Sequence, residues 1–208
     1  KIDSSLSWAD RCEDVAFNSL PATTTPDFRA LRYLTAPNLV VSSSKNKSPK
    51  IQDPGPKYQM NPHAHRCCQL NMGQGWPYYA EHLWMATPDS GLALVFPSDS
   101  IVTAKVGDGT EVRITATTRY PFDEDIGLTL SLPRAQEFPL YLRVPGWCER
   151  AELWINGRPI AVQSRPQTFL RLNREWKNGD TIKLRLPMEV RVRTWAKNAH
   201  SVSVDRGP

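Results

Sequence analysis

Hydrophobic and polar positions divide the chain into two regimes. From residue 91 onward apolar residues alternate with polar ones, and a period of two marks strands with one wet face. The alternation predicts strands over 92–96, 101–106, 111–117, 128–132, 140–144, 152–155, 169–172, 182–186 and 190–194, and residues 202–208 read as one more strand ending at a turn. Turn residues separate them, at Gly107-Asp108-Gly109, Asn156-Gly157 and Asn178-Gly179-Asp180. Asn-Gly between apolar alternations predicts a two-residue hairpin, because both central positions of the favoured turn need positive φ. Many short strands at this spacing predict an antiparallel β-sandwich over 91–208.

Residues 1–90 follow helical spacing instead. Trp8, Cys12, Val15, Ala16 and Leu20 form one stripe. They predict a helix over 7–20 with Ser7 as its cap, Asp10 completing an approximate capping box, and Pro21 as its stop. Cys12 lies on the stripe and is expected to be a buried structural thiol. A short strand is predicted over 28–35. Residues 42–62 are rich in Ser, Lys, Asn, Gly and Pro. A loop of that length in a compact domain is usually functional or disordered; this one is read as functional because it leads to a cluster of reactive residues. Beyond it Leu70, Gly73, Trp76, Pro77, Ala80, Leu83 and Trp84 fall near one helix face, with Pro77 kinking that helix or opening a second. The fold class is therefore mixed α and β, mainly β by residue count, with a boundary near residue 90.

The formal charge of +5 is spread along the strands, as in Ile182-Lys183-Leu184-Arg185-Leu186, which is how a sheet keeps one face solvated. No basic block interleaved with aromatics points to nucleic acid. Mean hydropathy is −0.47, and no apolar run approaches the roughly 20 residues that span a bilayer. The first 20 residues carry no signal-peptide pattern, and the first residue is not Met. These features suggest a piece of a longer polypeptide and leave its compartment open.

Reactive chemistry concentrates in His63-Ala64-His65-Arg66-Cys67-Cys68. Four cysteines in the chain are too few for a disulfide scaffold, so metal binding or reactivity is the better reading of the adjacent pair. Zinc accepts Cys sulfur and His nitrogen in a tetrahedron. Neighbouring cysteines serve poorly as two corners of a wholly local site, so Cys67 and Cys68 are expected to supply part of one. A thiolate near zinc or a cationic group is a strong nucleophile. Trp76, Tyr78, Tyr79 and Trp84 either line a sugar subsite or fill the core.

The segment 65–84, His-Arg-Cys-Cys-Gln-Leu-Asn-Met-Gly-Gln-Gly-Trp-Pro-Tyr-Tyr-Ala-Glu-His-Leu-Trp, resembles the Cys-Cys segment of glycoside hydrolase family 127. Downstream segments match that family in order: Arg119-Tyr-Pro-Phe-Asp, Leu142-Arg-Val-Pro-Gly-Trp-Cys, Trp154-Ile-Asn-Gly, Trp176-Lys-Asn-Gly-Asp, Leu186-Pro-Met and Asp205-Arg-Gly-Pro. The resemblance implies the C-terminal part of an (α/α)6 catalytic barrel over 1–90, followed by the β-sandwich. It implies a retaining glycosidase acting on arabinofuranose or a related sugar, with Cys67 as nucleophile and zinc ligand and Cys68 as a second ligand. His63, His65 and Trp76 are candidate sugar contacts. The family's further zinc ligands, a Glu and a Cys from a Glu-x-Cys motif, and its acid/base Glu would lie upstream of these residues, and no Glu-x-Cys occurs here. Arg66 and Gln69-Leu70 stand where the arabinofuranosidases carry Glu and Pro-Pro.

The expected partners are thus a carbohydrate substrate, neither nucleic acid nor membrane, and the rest of the parent polypeptide or another chain covering the barrel face. Alone, the chain is expected to be inactive. Two alternatives stay open: a non-catalytic carbohydrate-binding or packing sandwich, and a structural His/Cys zinc site.

Overall fold

The computed structural model describes residues 5–33, 66–197 and 199–208. They group into two compact units, one within 1–11 and 82–208 and the other within 12–81. The loop predicted over 42–62, and His63 and His65, lie outside the described residues. Among the described residues no helix is long and apolar enough to cross a membrane.

The larger unit is a β-sandwich. Strands β1 (Trp84–Ala86), β2 (Leu92–Leu94), β6 (Gln136–Val144) and β9 (Thr168–Trp176) form one sheet in the order β1-β2-β6-β9. The second sheet has the order β3-β4-β5-β10-β7-β8. Its strands are β3 (Ser100–Val106), β4 (Thr110–Thr118), β5 (Asp125–Ser131), β7 (Glu152–Ile155), β8 (Arg158–Ile160) and β10 (Thr181–Arg185). A separate ribbon pairs β11 (Val190–Trp195) with β12 (Ser201–Arg206). Alternation decides what each face does. Phe138, Leu140, Leu142, Leu170 and Trp176 from one sheet are buried, as are Val112, Ile114, Ile126, Leu128, Leu130, Ile182 and Leu184 from the other. Each such side chain contributes roughly 1.5–3 kcal/mol relative to an exposed one. The intervening Lys183 and Arg185 face outward and pair with Asp125 and Glu124.

Among the described residues every strand pairing is antiparallel except β2 with β6, which is parallel. Parallel neighbours need a crossover, and here β3, β4 and β5 provide it through the other sheet. The Asn156-Gly157 hairpin forms between β7 and β8, with φ of 50° and 74° at those residues. The Asn178-Gly179-Asp180 turn instead carries the chain from β9 in one sheet to β10 in the other. The two turns are joined: Asn156 Nδ2 donates to Asp180 Oδ1 at 2.8 Å, and Thr181 N–H donates to Asn156 Oδ1 at 2.8 Å.

Several expectations for the first regime are corrected. Helix α1 (Ser7–Asp14) passes into a π-helical turn, Val15–Ser19, and the extra residue per turn rotates the predicted stripe. Glu13 and Ala16 are buried while Cys12 and Val15 are exposed, so Cys12 is not a buried structural thiol. Asp10 forms no capping box; Ser7 N–H donates to Ser5 Oγ at 3.3 Å, and the Asp10 carboxylate accepts from Arg143, Gly146 and Gln167. Residues 28–33 form no strand. Thr25 and Asp27 side chains close a tight loop whose ends meet in one isolated bridge, Thr24 with Leu31, and Phe28 adopts φ of 57°. Leu83 and Trp84 leave the predicted helix; Trp84 opens β1 and its Nε1 donates to Ser100 Oγ at 3.1 Å.

Candidate active site

In the smaller unit the cysteine pair sits on helix α2 (Arg66–Glu81). The first turn of a helix carries backbone N–H groups without helical acceptors, and these favour negative charge nearby. Cys67 and Cys68 are the second and third residues of that turn. Cys67 is exposed and Cys68 half-buried, with their sulfurs 3.8 Å apart. Burial, reinforced by the adjacent Cys67 thiol, pushes the Cys68 thiol above its ordinary pKa. Asn71 Nδ2 donates to the Cys67 carbonyl at 2.7 Å, one turn along the helix.

What holds α2 in place is its other side. Tyr79 is its one buried residue and meets Phe17 edge to face, with ring centroids 5.6 Å apart. Trp76 packs against both rings, at 6.2 Å from Phe17 and 5.8 Å from Tyr79. A Cβ on Gly75 would come within 2.9 Å of Leu20, so glycine permits the close approach of α2 to the end of the π-helical segment. Pro77 lies inside the helix without ending it. The packed face is therefore Gly75, Trp76 and Tyr79, rotated from the predicted stripe, and Leu70 is 67% exposed. Trp76 lies nine positions beyond Cys67, which is two and a half turns and places them on opposite sides of the helix.

The tight loop that replaces the expected strand has a second consequence. Thr24, Phe28, Arg29, Ala30 and Leu31 line an open hollow of about 250 Å³ with Gln69 and Met72 of α2. Sequence reasoning passed over this loop, although Pro26-Asp27 was the available turn signal. Among the described residues no three His, Cys, Asp or Glu side chains come together as a metal site. Cys148 lies elsewhere, buried in the sandwich unit, where loss of solvent pushes its thiol up to about 11.

Comparison with known proteins gives this arrangement its context. Residues 2–81 match the family domain described as beta-L-arabinofuranosidase, GH127 catalytic domain, and residues 95–188 match the GH127 middle domain. A search of curated protein sequences returned no match. Among solved structures, a GH127 β-L-arabinofuranosidase from Geobacillus stearothermophilus T6 is similar at 25% identity and a TM-score of 0.78, over 99% of this chain and 32% of that one. A protein titled glycoside hydrolase is similar at 23% identity and a TM-score of 0.79, over 98% of this chain and 33% of that one. A GH127 β-arabinofuranosidase is similar at 20% identity and a TM-score of 0.78, over 99% of this chain and 33% of that one. The chain thus spans about a third of the length of the structures it matches. With the two domains matched in succession, the chain belongs to glycoside hydrolase family 127, as part of its catalytic domain followed by its middle domain.

Proposed function

We propose that the chain supplies the cysteine half of the active site of a retaining glycosidase that removes arabinofuranose or a related sugar. The span that matches the catalytic domain, residues 2–81, forms the end of the barrel, and the sandwich that begins at β1 follows it. The observation that carries this reading is the cysteine pair itself. Two thiols stand side by side on the first turn of a helix, within the span that matches the family's catalytic domain.

The donor set suits zinc. With zinc–sulfur bonds of about 2.3 Å, two corners of a tetrahedron lie roughly 3.8 Å apart, and the Cys67 and Cys68 sulfurs are separated by 3.8 Å. The remaining ligands come from polypeptide beyond these residues. When bound, the ion supplies charge that stabilises both sulfurs as thiolates at neutral pH, which the raised pKa of Cys68 otherwise opposes.

The chemistry is a double displacement. The Cys67 thiolate attacks the anomeric carbon as the bond to the leaving oxygen breaks, and a carboxylic acid on another part of the enzyme protonates that oxygen. The resulting carboxylate then takes a proton from water, the water oxygen attacks the anomeric carbon, and the carbon–sulfur bond breaks to restore the thiolate. His63 and His65, just ahead of α2 in sequence, donate to sugar hydroxyls. Trp76 packs with Phe17 and Tyr79 on the side of α2 away from Cys67, which favours a supporting role over direct contact with the sugar. Cys67→Ser in the parent enzyme is the test: hydrolysis of an arabinofuranoside should be lost with the fold intact, and unchanged turnover would refute the assignment.

A further inference from the structure

The register of the four-stranded sheet lines up one row of side chains on its outer face. Met85 stands opposite Ala93, Ala93 opposite Tyr141, and Tyr141 opposite Arg171. Their neighbours along the strands, Leu92, Leu94, Leu140, Leu142 and Leu170, are buried in the sandwich. Ala93 is the one small residue in the row. It floors an open hollow of about 410 Å³ lined by Thr87, Pro88, Asp89, Ala93, Tyr141 and Phe169. That volume falls within the usual range for small-ligand sites, roughly 300–1,000 Å³.

One side of the hollow is aromatic. Tyr141 and Phe169 meet edge to face at 6.1 Å and 84°. The wall of the hollow is almost wholly apolar, and at its rim polar groups are held in place by one another. Thr87 Oγ1 donates to Asp89 Oδ1 at 2.6 Å, and Tyr141 Oη donates to Asp89 Oδ2 at 2.6 Å. Arg171 Nε donates to Tyr141 Oη at 2.9 Å, and its Nη2 reaches Asp89 Oδ2 at 3.3 Å. The arginine and aspartate side chains nevertheless stay 51% and 40% exposed, which leaves donor and acceptor capacity for a ligand.

We propose that this hollow binds a neutral glycan, an arabinose-containing chain, at a site separate from the cysteine pair. Aromatic side chains offer a large apolar surface at little cost in side-chain freedom, which suits the C–H face of a sugar ring. A fixed carboxylate beside a fixed guanidinium offers an acceptor and a donor to neighbouring hydroxyls. Because the two charges offset each other, the site does not select an anion or a cation. An apolar protein segment laid over it would bury the ion pair without using its remaining hydrogen-bonding capacity, which is costly. Only the identity of the sugar rests on the glycosidase reading; the site itself does not.

The test is a calorimetric titration of the 208-residue chain with an arabino-oligosaccharide, alongside Tyr141→Ala, Ala93→Leu, Arg171→Ala and Cys67→Ser. Saturable binding is expected, weakened about tenfold or more by Tyr141→Ala or Ala93→Leu, each equivalent to about 1.4 kcal/mol. Arg171→Ala lies on an exposed strand position, so it reports on the site where the other two variants perturb folding, and it should weaken binding as well. Binding should be unchanged by Cys67→Ser, whatever that substitution does to hydrolysis in the parent enzyme. No saturable binding by the intact chain, affinity untouched by Arg171→Ala in a folded protein, or loss of binding on Cys67→Ser alone would overturn the proposal.

Discussion

Arg143 on β6 reaches Asp10 on α1, its Nη2 3.1 Å from Asp10 Oδ1. The guanidinium is fully buried and Asp10 is 19% exposed. Arg143 Nη1 also donates to the Val95 carbonyl at 2.5 Å, while Asp10 accepts from Gly146 N–H at 3.1 Å. The first turns of α1 are thereby tied to the sandwich. Removing one member of such a pair leaves a buried charge without its counter-ion, a loss of about 3–5 kcal/mol. Asp10→Ala should therefore destabilise the sandwich unit strongly in urea denaturation. Asp10→Asn, which keeps an acceptor, should cost less. Equal midpoints for wild type and Asp10→Ala would show that the pair contributes nothing.

Three of the four cysteines should separate by reactivity. Cys67 and Cys12 are exposed, and Cys148 is buried with its thiol raised to about 11. Alkylation at pH 8 in native buffer should modify the two exposed thiols and spare Cys148 until the protein is unfolded. Mass mapping of the labelled peptides checks this. The same shift carries a stability effect. Because the folded pKa lies above the ordinary 9.0, the contribution of Cys148 is full below about pH 9 and is lost as pH rises through about 11. Cys148→Ala should flatten that alkaline loss.

The hairpin at 156–157 separates two kinds of turn energy. Gly157 has φ of 74° and open space where a Cβ would stand, so Gly157→Ala should cost only the backbone strain, about 1 kcal/mol. Asn156 additionally bonds Asp180 and Thr181 through its side chain. Asn156→Ala leaves those partners unsatisfied and should cost more, up to about 3 kcal/mol. Denaturation curves that reverse this order would contradict the account of the turn.

Asp89 should keep its charge deep into acid. Hydrogen bonds from Thr87 and Tyr141, with a smaller one from Arg171, lower its pKa to about 2. What the charged form contributes is present above the ordinary carboxylate value of 3.8 and is lost as pH falls through about 2. Glycan binding at the sheet should therefore hold constant from pH 7 to about pH 4. A carboxyl titration followed by NMR, with its midpoint near 4, would show that the Thr87–Tyr141–Arg171 network does not form in solution.

Much of the sandwich was legible because period-two alternation reports a half-buried strand directly, and β3, β4, β7 and β10 begin within one residue of their predicted starts. The misses have physical causes. β1 and β8 are three-residue strands, too short to alternate visibly, and the parallel β2–β6 pairing depends on a crossover that local pattern does not encode. Around α1 the stripe failed because the π-helical turn at Val15–Ser19 changes the period midway. On α2 the exposed Leu70 and the buried Tyr79 reverse the expectation from hydrophobicity alone. Packing against Phe17 and Leu20 decides which side of that helix faces inward. The cysteine pair stood out at once, since two adjacent thiols are rare chemistry. The hollow at Ala93 was invisible, because Asp89, Tyr141 and Arg171 meet only through sheet register.

The most direct test of the central claim is to trap the intermediate. A slow arabinofuranosyl substrate incubated with the parent enzyme, followed by peptide mass mapping, should show one added sugar on the sulfur of Cys67, absent from Cys67→Ser and from chelator-treated protein. A sugar found on a carboxylate, or steady turnover with no adduct in Cys67→Ser, would contradict it.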